Sequence, residues 1–457
     1  CRIVGDFRGL NNILLKLYWH TESSHQLLRH IDPQAKYFCV IDATSAFHQV
    51  PVSAEASKLL TIVTNAGRYS YKVLPQGVCN SSALWNILTD GNSRIDSELQ
   101  ILKNMDDYLI YGRSLEELEK KLEKFMVFAK EKNLKLSPNK FFISEEVEFG
   151  GSVVSSQKCV DEDLVFISPK NKRIKAFSEL KKPACKKDCQ IFCGMLASLQ
   201  AWNPSLPLEI PLLRKATAGT GKFIWTDALE EEYQNVREVM CTQIRLSPYD
   251  PNKPLRLVID GASSLGVGFV LFQWVDEEDE SKGAVIINAN SSMLKESQLS
   301  YSPIEAEMMG LEFAAHCCAY WLDSNPSIEL YSDCSGMLDM LNKPLSDINN
   351  KRLQKILTKI MFYNFNPHHV RAAENKLADA LSRLCGLVSK IHRTPCDNIR
   401  LLGMSKKVSV YKRQVEVEDP LVLQLSIQAG LDLEYVQMVN CIENLSLIHI
   451  SEPTRQP

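Results

Sequence analysis

No C-x-x-C pair occurs among the 14 cysteines of this chain, and their spacing follows no disulfide-like rhythm. That excludes a disulfide-stapled scaffold and fits buried thiols in a reducing, intracellular compartment. Cys185, Cys189 and Cys193 recur every four residues. On a helix they form one stripe, and with no nearby His or second Cys cluster a packed face is expected rather than a metal site. Long hydrophobic runs are missing too. The longest, residues 313–322, contains His316 and is too short to span a bilayer, so no membrane partner is expected. An excess of one charge is also absent. The net charge of −3 over 457 residues means that any basic surface must be local. What remains is ordinary globular composition, 45% hydrophobic and 23% charged, with room for roughly two to four domains.

The chemistry centres on residues 104–112, N-M-D-D-Y-L-I-Y-G. Asp106 and Asp107 sit between two apolar runs, as at the tip of a β-hairpin. Adjacent anions repel, so the pair is either a solvated turn or half of a divalent-cation site. A second carboxylate source lies upstream, where residues 37–41 read as a buried strand ending at Asp42. A carboxylate there is costly unless it is paired or metal-bound.

Other elements can be placed around these acids. Residues 2–11 read as a strand with Arg2 and Arg8 near its ends. Residues 69–74 read as another, closed by Pro75, Gln76 and Gly77. Residues 81–87 start a helix, and Ser114 to Glu117 spells a capping box opening an amphipathic one. Residues 134–140 read as a strand and residues 147–154 as a hairpin turning at Gly150 and Gly151. Residues 170–187 carry eight Lys and Arg residues against Glu179 and Asp188. They form either a solvated helix face or a phosphate-tracking surface.

A second unit starts at Leu255. Residues 255–259 form an apolar strand ending at Asp260, residues 266–273 and 284–288 two more, and Ser302-Pro303 caps a helix to about Leu322. Residues 328–332 are a strand ending at Asp333, and residues 375–379 start a last helix. This order is an α/β unit with acids at strand ends and helix starts.

These ordered motifs resemble the reverse transcriptase and ribonuclease H region of the pol polyprotein of a gypsy-type LTR retrotransposon. The resemblance implies a multidomain α+β and α/β chain, a right-hand polymerase followed by a ribonuclease H-like domain. The expected division is truncated fingers and palm over 1–157, thumb and connection over 158–253, and the ribonuclease H-like domain over 254–387. A linker toward integrase would follow over 388–444. Residues 445–457 look like a non-native tail, because residues 445–455 resemble a translated sequencing adapter.

Carried over by motif, the palm acids are Asp42, Asp106 and Asp107. Two Mg²⁺ ions per site are implied, with Mn²⁺ as an alternative. Arg2 matches a fingers arginine that grips the triphosphate. Phe47 matches the residue that excludes a ribose 2′-hydroxyl, or is simply a core aromatic. Gln76 and Gly77 match the nucleotide pocket. Lys140 matches a lysine proposed as acid to the leaving pyrophosphate, or is an ordinary surface lysine. The ribonuclease H acids fall on Asp260, Glu307, Asp333 and Asp379. Glu305 competes with Glu307, but the register Glu307, Leu311, Ala314 puts Glu307 on the apolar face. His369 is read as structural. The implied partners are RNA and DNA template-primer, RNA–DNA hybrid and dNTPs, in a cytoplasmic retroelement particle.

Three positions depart from the family pattern: Asn104 stands for a usual Tyr, Ser82 for a proline, and Gly150 for Leu or Met. The function expected is RNA-directed DNA polymerase with ribonuclease H activity. The alternative is a catalytically impaired nucleic-acid-binding remnant of a decaying element.

Overall fold

The computed structural model describes residues 5–90, 101–137, 141–159, 162–178, 180–204, 210–217, 223–239, 244–262, 266–298, 300–323, 325–370 and 409–410. Among the described residues the first half holds the strands β1 (Tyr37–Asp42), β2 (Thr61–Thr64), β3 (Gly67–Ser70), β4 (Leu102–Asn104), β5 (Asp107–Gly112), β6 (Phe142–Ser144), β7 (Glu146–Phe149), β8 (Ser152–Cys159) and β9 (Glu162–Pro169). They form a four-stranded sheet in the order β4-β5-β1-β6, a β2-β3 hairpin, and a three-stranded sheet β7-β8-β9.

Side chains alternate across a strand, so β1 and β5 feed two cores. Phe38, Leu109 and Tyr111 face one. Cys39, Ile41, Tyr108 and Ile110 face the other, with Leu118, Leu122 and Phe125 of the helix Leu115–Glu131. Ser114 caps that helix by accepting from Glu117 N–H. The Glu117 carboxylate turns instead to Arg113 N–H at 2.9 Å, so the predicted capping box closes one residue early.

Three strand expectations fail locally; of residues 134–140, the described part 134–137 holds only a lone bridge from Leu136 to Ala43. Residues Arg8–Asn11 are a helical turn, because the Asp6 carboxylate accepts from Arg8 N–H at 3.1 Å and from its guanidinium. Within residues 69–74 the strand ends at Ser70. Beyond it Val73 makes only a lone bridge to Pro51, whose missing N–H cannot extend a ladder.

The second half holds β10 (Leu255–Ala262), β11 (Gly266–Trp274), β12 (Ala284–Met293), β13 (Ile328–Ser332) and β14 (Phe365–His369). The order is β12-β11-β10-β13-β14, with β15 (Ser409–Val410) antiparallel on β14. The first three pair antiparallel, whereas β10-β13 and β13-β14 are parallel. The helix Pro303–Leu322 covers one face, burying Met308, Leu311, Ala314 and Trp321 over Leu257, Ile259 and Leu330. Ser302 and Glu305 close a complete capping box at its start.

Short helices, including Lys186–Ala197 and Asp227–Val239, join the halves. Phe192, Trp202 and Tyr233 share one core with Phe38 and Ile167 on one side and Phe272 and Ile286 on the other. Cys189 is buried in that helix, as the stripe predicts, while Cys185 is its exposed N-cap. A direct contact links the halves as well. His30 Nδ1 lies 3.0 Å from the Tyr320 hydroxyl, and the Arg29 guanidinium stacks 4.4 Å over Trp321. Among the described residues no helix is long and apolar enough to cross a membrane.

Candidate functional site

Two acidic sites sit at strand ends, one in each half. In the first, β4 and β5 form a hairpin in which Asn104 pairs with Asp107, leaving Met105 and Asp106 as its two-residue turn. Met105 takes φ 58°, a left-handed conformation the tight turn imposes. Asp42 ends β1 directly opposite Asp107 in the antiparallel register. Ala43 N–H donates to Asp106 C=O at 2.8 Å, and the Trp85 indole N–H donates to Met105 C=O at 2.8 Å. Backbone pairing thus brings Asp42, far upstream in sequence, to the same sheet end as the adjacent Asp106 and Asp107.

A cleft of about 1180 Å³ opens over this end. Asp42, Asp106, Phe47 and Gln76 line it, together with Tyr69 and Tyr71. Asp107 and Gly77 do not. Gly77 takes φ +97°, and its C=O accepts from Asn11 Nδ2 at 2.9 Å, so the loop beside Gln76 is pinned. Phe47 packs against the buried core and also lines the cleft. Asn104 and Gly150 are neighbours, since a Cβ on Gly150 would lie 3.3 Å from Asn104 Nδ2 and 2.5 Å from Ser24 Cβ. The hairpin β7–β8 therefore packs its tip on the acid-bearing hairpin. In the basic stretch, Lys170 pairs with Glu148 at 2.8 Å and Lys182 with Glu230.

The second site is tighter. Carboxylate oxygens of Asp260, Glu307 and Asp333 all lie within 4.8 Å of one another, and among the described residues this is the only such cluster. Asp260 and Glu307 are buried. Burial, then the charges of Asp260 and Asp333, push the Glu307 carboxyl up to about 8. Three carboxylates this close together, two of them buried, are a donor set that suits a hard cation. Glu305 is engaged elsewhere. It accepts from Ser302 N–H at 2.9 Å and Asn350 Nδ2 at 3.0 Å, and these bonds, that of Asn350 first, hold its carboxyl down at about 2. His369 Nε2 sits 3.1 Å from Asp333 C=O, tying β14 to the acidic strand end.

Arg2, Lys140 and Asp379 lie outside the described residues. Sequence reasoning missed Trp85 and Gly261. The first gives no signal, because its partner is a backbone carbonyl. For the second, a Cβ would fall 2.5 Å from Ala306 C and O, so glycine lets the helix Pro303–Leu322 press against β10 between Asp260 and Glu307. Gly261→Ala is expected to lower stability by about 2–3 kcal/mol through overpacking. Denaturant unfolding measures it, and a loss below about 0.5 kcal/mol, the scatter of surface changes, would contradict the close approach.

Comparisons with known proteins agree with this layout. Residues 1–154 match the family described as reverse transcriptase (RNA-dependent DNA polymerase). Residues 225–328 match the RNase H-like domain found in reverse transcriptase. The chain is 24% identical over 435 residues to the retrovirus-related Pol polyprotein from transposon 297 of Drosophila melanogaster, covering 91% of this chain and 38% of that one. It is 23% identical over 466 residues to the transposon Tf2-3 polyprotein of Schizosaccharomyces pombe, covering 99% and 34%. The chain thus spans little more than a third of these curated relatives. Among solved structures, the foamy viral protease-reverse transcriptase in complex with dsDNA superposes with a TM-score of 0.68 at 19% identity, covering 81% of this chain and 75% of that chain. The same viral protein in complex with RNA/DNA hybrid gives 0.62 at 18% identity, covering 80% and 48%. Domains of both matched families generally use divalent metal ions.

Proposed function

We propose that this chain, a reverse transcriptase domain followed by an RNase H-like domain, is an RNA-directed DNA polymerase with RNA–DNA hybrid ribonuclease activity, from an LTR retrotransposon. The observation that carries the reading is the pair of acidic strand ends: Asp42, Asp106 and Asp107 fall inside the reverse transcriptase match, and Asp260 and Glu307 inside the RNase H-like match, with Asp333 just beyond its end. Two Mg²⁺ ions per site supply charge neutralisation and an activated oxygen nucleophile when bound. The chain's own groups do the rest. Asp42 and Asp106, which line the cleft, are the main ligands, and Asp107 supports them from the position directly opposite Asp42. Phe47 walls the cleft against a ribose 2′-hydroxyl. Gln76 and Gly77 shape the nucleotide pocket, Arg2 grips the triphosphate, and Lys140 gives a proton to the leaving pyrophosphate. Asp260, Glu307, Asp333 and Asp379 hold the ribonuclease site against the RNA strand.

The partners under this reading are template-primer, dNTPs and hybrid, handled inside a cytoplasmic retroelement particle. The test is primer extension on an RNA template with Mg²⁺, beside cleavage of a labelled hybrid. The expected result is both activities, each abolished by chelation. A folded chain that extends no primer and cuts no hybrid would fit the impaired-remnant alternative instead.

A further inference from the structure

The turn that carries Asp106 is held by a helix that contributes no acid. Met105 sits at φ 58°, where an L side chain with a Cγ is costly. Such a conformation persists only where its surroundings over-determine it. Here both carbonyls of the turn are gripped. Met105 C=O takes the Trp85 indole N–H and Asp106 C=O takes Ala43 N–H, each at 2.8 Å. Trp85 is 1% exposed within the helix Ser81–Asp90, and Asn86 beside it is buried as well. Asn86 Oδ1 accepts from Lys103 Nζ at 2.8 Å, on β4, the strand that enters the turn, and its Nδ2 donates to Thr21 at 3.1 Å. Consecutive residues of one helix therefore hold the hairpin on both sides of Asn104.

We propose that Trp85 is a positioning residue of the polymerase site: its indole N–H fixes the Met105 carbonyl and so aims the Asp106 carboxylate into the cleft beside Asp42. The inference rests on the polymerase reading above. Its core role is separable from its hydrogen bond. Phenylalanine keeps an aromatic ring among Ile41, Ala46 and Tyr108 but has no donor. The carbonyl then loses its partner, the strained turn relaxes, and Asp106 no longer holds one orientation.

Trp85→Phe in the full chain is the test, with Trp85→Tyr, which also lacks the indole donor, as second variant. In single-nucleotide incorporation, turnover at saturating Mg²⁺ falls about tenfold while KM for dNTP stays within about twofold, because the lost contact orients a ligand rather than substrate. The Mg²⁺ concentration for half activity rises several-fold, while hybrid cleavage stays near its parental value. A purely structural role would leave the Mg²⁺ dependence alone.

Mn²⁺ binding followed by electron spin resonance in an Asp333→Asn background reads the palm site without turnover. Trp85→Phe weakens it and Asp106→Asn removes it. Parental Mg²⁺ dependence in both Trp85 variants, or parental Mn²⁺ affinity in Trp85→Phe, overturns the proposal. A parent that binds Mn²⁺ through Asp106 yet incorporates nothing overturns the polymerase reading, and the binding comparison still decides Trp85.

Discussion

Asp106→Asn is expected to abolish primer extension, with a loss of about 10³-fold or more, while the protein stays folded. The magnitude follows from chemistry. Ligand carboxylates hold the charge that neutralises a transferring triphosphate, a contribution of several kcal/mol, and each 1.36 kcal/mol is about tenfold in rate. The folded state is spared for structural reasons. The Asp106 side chain is exposed at the turn, and what the fold uses is its carbonyl, which accepts from Ala43 N–H. Asparagine fits the same turn geometry and changes only charge. Hybrid cleavage, which the proposal assigns to the Asp260, Glu307 and Asp333 cluster, should be untouched. Asp42→Asn should behave alike, since Asp42 lines the same cleft, and Asp107→Asn should cost less, since Asp107 does not. An Asp106→Asn variant that retains more than about a tenth of parental incorporation would remove Asp106 from the metal-binding role.

Much of this arrangement is legible in the sequence because strand-end acids leave a simple signature. An apolar run stops and a carboxylate follows. Asp42, Asp260 and Asp333 read that way, and the Asp106-Asp107 turn reads from its apolar flanks. The helical register that separates Glu307 from Glu305 is visible because Leu311 and Ala314 mark the inward face. The capping role of Glu305 three residues after Ser302 is written in the same stretch.

Other features depend on contacts with no local pattern. The grip of Trp85 on Met105 joins a side chain to a backbone atom twenty residues away. The approach of Gly261 to Ala306 shows only once the helix is packed on the sheet. The helical turn Arg8–Asn11 depends on one side-chain acceptor, Asp6, that overrides strand composition. The shared core of the two halves, and the meeting of His30 with Tyr320, require the whole topology.

Glu307→Gln is expected to act in two opposite directions, and that opposition tests the second site. Cleavage of an RNA–DNA hybrid should fall about 10³-fold or more, as for loss of any charged ligand in a two-metal site. Stability without metal should rise at alkaline pH. The Glu307 carboxyl is raised from 4.5 to about 8 in the folded chain, by burial first and then by Asp260 and Asp333. Between those two values the unfolded chain is ionised while the folded one keeps its proton. The stability contributed by this group is therefore fully present below about pH 4.5 and is lost as pH rises through about 8. Glutamine carries no charge to bury, so the variant should lack this slope and exceed the metal-free parent by on the order of 3 kcal/mol above that range.

A divalent cation should reverse the order, because it offsets the clustered negative charge of the parent and finds one ligand fewer in the variant. Thermal midpoints against pH, with chelator and with Mg²⁺ or Mn²⁺, read all of these effects on one instrument. Parallel pH profiles for parent and variant, together with no cation-induced rise in the parent midpoint, would show that the three acids do not act as one buried charged site. Agreement on stability with undiminished hybrid cleavage would instead leave Glu307 as a buried acid outside the reaction.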